Sequence, residues 1–221
     1  MSELVPPQLF VTILLASLCP PPGVAPWRFD RTVDGMRIET REAMDAPFRE
    51  IRVTAVSSAD LQTLCDAVFA PGSSSKPEGR FKKREVLRET ETDRWTYEQI
   101  SVPVVRDRDY VMHAHLDVPA TQGRCEVSFR TESDPGYPPV RGLVRIPCIH
   151  GHWSLVPENG AVRVSYEVYS DPGGEIPPFL VRAGQRDAAV QFMRTILERA
   201  SEVESPKEPP HDTRPRPGRR G

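Results

Sequence analysis

The chain has 221 residues, with 29 Lys and Arg against 31 Asp and Glu and a net charge of -2. That length suits one domain, and such a chain buries roughly 70% of its unfolded surface, enough for a core and an internal cavity. The charge balance excludes the basic face of a nucleic-acid binder, and the 24 Pro fall mainly in the ends and the turns.

The amino end stands apart. Leu9 to Cys19 is an uncharged, mostly apolar run ended by Pro20-Pro21-Pro22-Gly23. It is shorter than the about 20 apolar residues of a membrane span. Its length matches the apolar region of a secretory signal, and Gly23-Val24-Ala25 supplies small residues for cleavage, although Glu3 replaces the usual basic start. Leu18 is too large for the position before a lipidated Cys19. Residues 1–25 are read as a signal peptide of a bacterial periplasmic or secreted protein. A packed N-terminal helix on a cytoplasmic domain is the alternative.

Strand patterns follow. Trp27–Asp34 and Met36–Thr40 flank Asp34-Gly35, a strong hairpin dipeptide. Phe48–Val56 alternates, with Ile51, Val53 and Ala55 inward. Ser57 or Ser58 is expected to cap a helix whose face carries Leu61, Leu64, Cys65, Val68 and Phe69. Residues 71–79 are expected to form a loop, and Phe81–Arg88 and Arg94–Val102 are further strands. In Asp109–Val118 one face is Tyr110, Met112, Ala114, Leu116 and Val118; the other holds Val111, His113, His115 and Asp117. The first face is apolar and should point inward.

His113 and His115 have the spacing of two metal ligands on a strand. No acidic or Cys motif completes a set in the sequence, so they are read as surface histidines and no metal or cofactor is expected. His150 and His152 are read the same way, with a bulge at Gly151 able to turn one inward. Arg124–Glu132 and Arg141–His150, the latter continued by His152–Val156, read as a hairpin around the stiff Asp134–Pro139 loop. A turn centred on Gly136-Tyr137 sets Cys125 opposite Cys148, a pair that exported proteins can oxidise. A one-residue slip separates them, and two free thiols are expected.

Val162–Ser170 is the last strand, and Asp171-Pro172-Gly173-Gly174 ends it. A long amphipathic helix then runs from about Ile176 to Val203, with Pro177 and Pro178 in its first turn. Its 28 residues reach ~42 Å, enough to cross a sheet. Gly184 is a weak point in it. Residues 205–221 hold Pro and charge and almost nothing apolar, so they are read as a disordered tail. Its basic tip offers a transient membrane contact.

Read in order, several motifs resemble the START domains, lipid-transfer domains related to steroidogenic acute regulatory protein. They are Arg108-Asp109-Tyr110-Val111, Gly142-Leu143-Val144-Arg145, Trp153-Ser154-Leu155-Val156-Pro157, Val164-Ser165-Tyr166-Glu167 and Asp171-Pro172-Gly173-Gly174-Glu175-Ile176-Pro177. Trp27, Asp34-Gly35 and Phe48-Arg49-Glu50 fit as well, so the resemblance covers about residues 27–200. It implies an α+β helix-grip fold: a curved antiparallel sheet around a long C-terminal helix, enclosing a tunnel for one hydrophobic ligand. Glu98 matches an acidic position that pairs with an Arg inside the tunnel of some sterol-binding members. The Arg position falls on Ala114, so Glu98 pairs with Arg130 or Arg145 or is exposed, and the sterol assignment does not transfer.

The domain, residues 26–204, is expected to be a monomer that binds a hydrophobic small molecule or lipid without catalysis, with transfer of that ligand as a further expected role. The sheet-side lining is assigned to Tyr110, Met112, Ala114, Val127, Phe129, Val144 and Ile146. Phe179, Leu180, Ala183 and Met193 are assigned to the helix side, with Glu98 as the polar group. The C-terminal helix and the Pro135–Pro139 loop are the expected gate. A polyketide cyclase or aromatase on the same fold is the competing reading, using Tyr110 or Tyr166 with His150 or His152. An apolar groove for a protein partner is the third.

Overall fold

The computed structural model describes residues 19–70, 81–102 and 105–204. Most of the expected signal peptide, the 71–79 loop and the 205–221 tail lie outside the described residues. The strands are β1 Arg28–Val33, β2 Met36–Glu42, β3 Arg49–Ser57, β4 Phe81–Glu89, β5 Asp93–Ile100, β6 Arg108–Val118, β7 Cys125–Glu132, β8 Val144–Arg145, β9 Cys148–Glu158 and β10 Ala161–Asp171. The helices are α1 Leu61–Phe69 and α2 Pro178–Glu204. Nine strands form one curved antiparallel sheet in the order β1-β2-β3-β10-β9-β7-β6-β5-β4, and β8 pairs with β6. This is the helix-grip arrangement that the motifs implied. Among the described residues no helix is long and apolar enough to cross a membrane.

Local chemistry places the turns. Asp34 and Gly35 have φ of 49° and 77°, and Asn159 and Gly160 have 52° and 79°. Both are Asx-Gly pairs with two positive φ angles, the geometry that two-residue hairpins need. Asp60, not Ser57 or Ser58, caps α1 by accepting the Thr63 amide at 2.9 Å. Ser57 is still in β3, opposite Val162, and its hydroxyl holds the Ala59 amide instead.

The main core lies between one face of the sheet, α1 and α2. Val53, Leu64, Leu155, Val164, Met193, Ile196 and Ala200 are completely buried there. A methyl group added to Gly184 in α2 would meet no atom within 4 Å, so only the helix cost of glycine operates. Gly184→Ala is expected to raise stability by about 1 kcal/mol in chemical denaturation; a loss would show that the residue needs its freedom.

The β7–β9 register differs from the expected tight hairpin. Cys125 pairs with Leu155, and Arg130 with His150. The reason is β8: Val144-Arg145 leaves the hairpin and runs parallel to Arg108-Asp109 of β6. Cys148 therefore starts β9, far from Cys125. The cysteines are not free thiols: Cys65 on α1 bonds to Cys125 on β7, and Cys148 bonds to Cys19. Nor does β9 bulge at Gly151, since its pairing with β10 is continuous. Gly151 is required for space, because a Cβ there would sit 2.1 Å from the Glu167 carbonyl and 2.3 Å from the Phe129 ring.

The segment from Cys19 to Trp27 crosses the outer face of the sheet. Besides the Cys19 bridge, the Gly23 amide donates to Glu50 at 2.5 Å, and Trp27 stacks under Arg41 and Arg52 at 4.2 Å each. His150 lies beneath this strap, stacked on Tyr169. Burial lowers the His150 pKa from its ordinary 6.5, partly offset by Glu50. The unfolded chain then takes up a proton that the fold refuses, so stability is full above pH ~6.5 and falls as pH drops below it. A His150→Phe variant is expected to flatten that loss in denaturation curves at successive pH values; an unchanged slope would assign it to other groups.

Candidate functional site

A cavity of about 280 Å³ opens between the sheet and α2. Its sheet side carries Tyr110, Met112 and Ala114 of β6, Val127 and Phe129 of β7, and Ile146 just after β8. Alternation along β6 and β7 puts these on one face, and the small Ala114 leaves room there. Tyr166 stacks on Trp153 at 4.2 Å, and Phe129 and Phe192 close an aromatic floor around it.

The structure places the remaining named residues elsewhere. Val144 packs toward Gly173 and Gly174 instead of the cavity. Phe179 is 64% exposed, and Met193 is buried in the main core. The side chains of Leu180 and Ala183 lie outside the described residues. On α2 the cavity is lined by Gln185, Ala188, Ala189, Gln191, Phe192, Thr195 and Arg199. Small and polar residues predominate there, so the most apolar stripe of the helix marks the core and not the cavity.

Glu98 sits in the cavity wall, 6% exposed. Its partner is neither Arg130 nor Arg145 but Arg84 of β4, which lies directly opposite and donates from Nε at 2.9 Å. The Tyr110 hydroxyl donates to the second oxygen at 2.5 Å, and Thr96 donates at 3.2 Å. The carboxylate is thus well supplied, as a buried charge must be. A second buried guanidinium, Arg94 of β5, lines the cavity opposite Ala114 and bonds Glu89 at 2.8 Å. Guanidinium groups thus line the cavity from β4 and β5, while Ala114 of β6 carries none. Removing the guanidinium with Arg84→Met is expected to cost about 2 kcal/mol in denaturation, because Tyr110 and Thr96 still hold Glu98. No loss would mean that the pair contributes little.

Arg145 and Arg130 have other work. Arg145 forks onto Asp109 at 3.0 and 2.9 Å and also donates to the Tyr137 carbonyl at 3.0 Å. Asp109 is fully buried and also receives the Tyr97 hydroxyl at 3.1 Å. Arg108 reaches the Pro172 carbonyl in the turn before α2. The Arg-Asp-Tyr-Val and Gly-Leu-Val-Arg motifs are therefore staples that join β6, β8 and the α2 turn. The Asp134–Pro139 loop is held to the outer side: Tyr137 packs on Tyr97 at 5.1 Å and donates to Glu85. None of that loop lines the cavity, where the Pro135–Pro139 part of the expected gate would have to reach.

The histidines are on the other side of the sheet. His113, His115, His150 and His152 line an outer groove, and none lines the cavity among the described residues. The Tyr110 phenol is pushed well up, by burial first and then by Glu98, and burial likewise raises that of Tyr166. Both are neutral donors, and no imidazole among the described residues lines the cavity with them to take a proton.

Known structures share this architecture. The STAR-related lipid transfer protein of Xanthomonas axonopodis is 25% identical, with a TM-score of 0.69 over 79% of this chain and 98% of that one. Human StAR-related lipid transfer protein 5 gives 0.70 at 17% identity over 83% of this chain and 90% of that one. The Zhui aromatase/cyclase of Streptomyces gives 0.50 at 12% identity over 71% and 93%. An uncharacterised protein of Pseudomonas aeruginosa is 26% identical over 87% of this chain and 96% of its own length. No family model matches the chain. The resemblance to START domains holds in fold as well as in motifs.

Proposed function

We propose that the protein is a non-enzymatic carrier that holds one hydrophobic ligand in the cavity between the sheet and α2. The observation that carries this reading is the cavity itself: apolar and aromatic side chains beside a polar wall that holds the buried Arg84–Glu98–Tyr110 cluster and Arg94. Its volume stands at the lower edge of ordinary ligand pockets, roughly 300–1,000 Å³. An apolar body with a single polar end fits such a lining. Each buried CH₂ contributes ~0.8 kcal/mol, so the body supplies affinity and the cluster supplies orientation. The lipid-transfer names of the similar structures support the same reading. The separation of the tyrosines from the histidines argues against the cyclase alternative, because the acid–base pair it needs is split by the sheet.

Export fits the four paired cysteines, since disulfides persist in oxidising compartments. Cleavage after Ala25 would discard Cys19 and leave Cys148 unpaired, so the strap favours a cut before Cys19. The carrier is proposed to act as a monomer that touches membranes briefly. The test is movement of a fluorescent lipid from donor to acceptor vesicles. Acceleration in proportion to protein concentration supports transfer. Vesicles that exchange no faster with protein than without it would remove the transfer claim.

A further inference from the structure

We propose that the outer face of the sheet binds one divalent transition-metal ion of the zinc class through His113, His115 and Asp93. Cross-strand register brings them together, since Asp93 opens β5 opposite His115 of β6 and His113 lies one step away on the same face. Their ligand atoms all lie within 4.8 Å of one another. His113 Nε2 is 2.7 Å and His115 Nδ1 is 2.8 Å from the same Asp93 oxygen. A tetrahedral ion with bonds of about 2.0–2.1 Å holds its ligands about 3.3–3.4 Å apart. The two sides that meet at Asp93, 2.7 and 2.8 Å, open by about 0.6 Å to reach that spacing.

The surroundings are those of a prepared site. Glu132 of β7 lies 3.0 Å from His113 Nδ1 and can accept its proton, so that an ion displacing the proton between Nε2 and Asp93 finds Nε2 already aimed at the site. Glu132 is itself held by the Trp95 indole at 3.0 Å and by Arg130. The His113 ring stacks on Trp95 at 4.2 Å with planes 5° apart, and Arg88 covers the other side of Trp95. Thr92 donates to the second Asp93 oxygen at 2.8 Å. Two ligands thus have outer partners that hold their orientation. Two imidazoles and one carboxylate suit Zn²⁺ or Co²⁺ better than Ca²⁺ or Mg²⁺. Three protein ligands leave a fourth position for water or a partner's side chain, facing a groove that His150 and His152 also line. The site lies across the sheet from the cavity and does not depend on what the cavity holds.

The test is equilibrium dialysis of the full chain, made without a polyhistidine tag, against Zn²⁺, with the bound metal counted by mass spectrometry. One Zn²⁺ per chain is expected, with a metal-dependent rise in melting temperature. His115→Ala, at a half-exposed position, should fold normally and weaken binding more than 100-fold. Glu132→Gln removes the positioning carboxylate and should weaken it roughly 10–100-fold. His152→Ala, altering a histidine paired with Glu126 in the same groove, should bind as the parent does. Failure of the parent chain to retain stoichiometric Zn²⁺ overturns the proposal. So does retention that survives His115→Ala, or loss in His152→Ala alone, either of which would place the ion elsewhere. Should His115→Ala fail to fold, Asp93→Asn takes its place with the same expectations.

Discussion

Ala114→Trp is expected to cut the affinity for a hydrophobic probe about 100-fold while leaving the fold intact. Ala114 lines the cavity from the middle of β6, between Arg94 on β5 and Phe129 on β7. An indole there occupies space that the ligand's body would take. Excluding roughly four methylenes at ~0.8 kcal/mol each removes about 3 kcal/mol of burial, and each 1.4 kcal/mol is tenfold in affinity. The new side chain enters a void, not close-packed core, so overpacking is small. A titration with a fluorescent fatty-acyl probe, together with a melting curve, checks both halves. Parent-like binding by a folded variant would put the ligand elsewhere.

Replacing Cys65 and Cys125 together by Ser is expected to cost about 4 kcal/mol and lower the melting temperature by roughly 10 °C. The bridge closes a 60-residue separation and ties α1 to β7 inside the main core. Loop closure of that length gives most of the estimate. The Cys19–Cys148 bridge closes 129 residues, but one end is a surface strap. Its loss should free the strap first and leave the core transition nearly in place. Thermal melts of the two double-Ser variants check the ranking. Equal melting temperatures would show that the strap is integral to the core.

The central strands were legible because one face of each is apolar. The Ile51-Val53-Ala55 and Tyr110-Met112-Ala114 alternations follow directly from a sheet buried on one side. Asn159-Gly160 marks the β9–β10 hairpin as clearly as Asp34-Gly35 marks the first. What escaped depends on contacts across strands. Glu98 meets Arg84 because β4 and β5 pair in a particular register, and sequence spacing does not contain it. The same holds for Asp93, which completes the histidine triangle only through the β5–β6 register. Cys125 and Cys148 lie apart because β8 pairs in parallel with β6, which no alternation pattern announces, and the observed bridges join α1 to β7 and the strap to β9, contacts that sequence spacing does not contain. The cavity face of α2 escaped for a different reason. Its Gln185, Ala188, Gln191 and Thr195 are not its apolar stripe, and periodicity finds the stripe that packs.

The polar cluster gives the cavity its direction. Arg84, Glu98 and Tyr110 satisfy one another without a ligand, so a ligand head group must offer hydrogen bonds at least as good to displace any of them. That favours affinity drawn from the apolar body and modest discrimination at the head, a pattern suited to carrying related lipids.

Native mass spectrometry of the purified chain, repeated after denaturation and organic extraction, tests the central claim most directly. The account predicts a discrete added mass on the folded protein that leaves on denaturation and appears as a lipid in the extract. A bare protein mass that stays bare after incubation with a mixed lipid extract would contradict it.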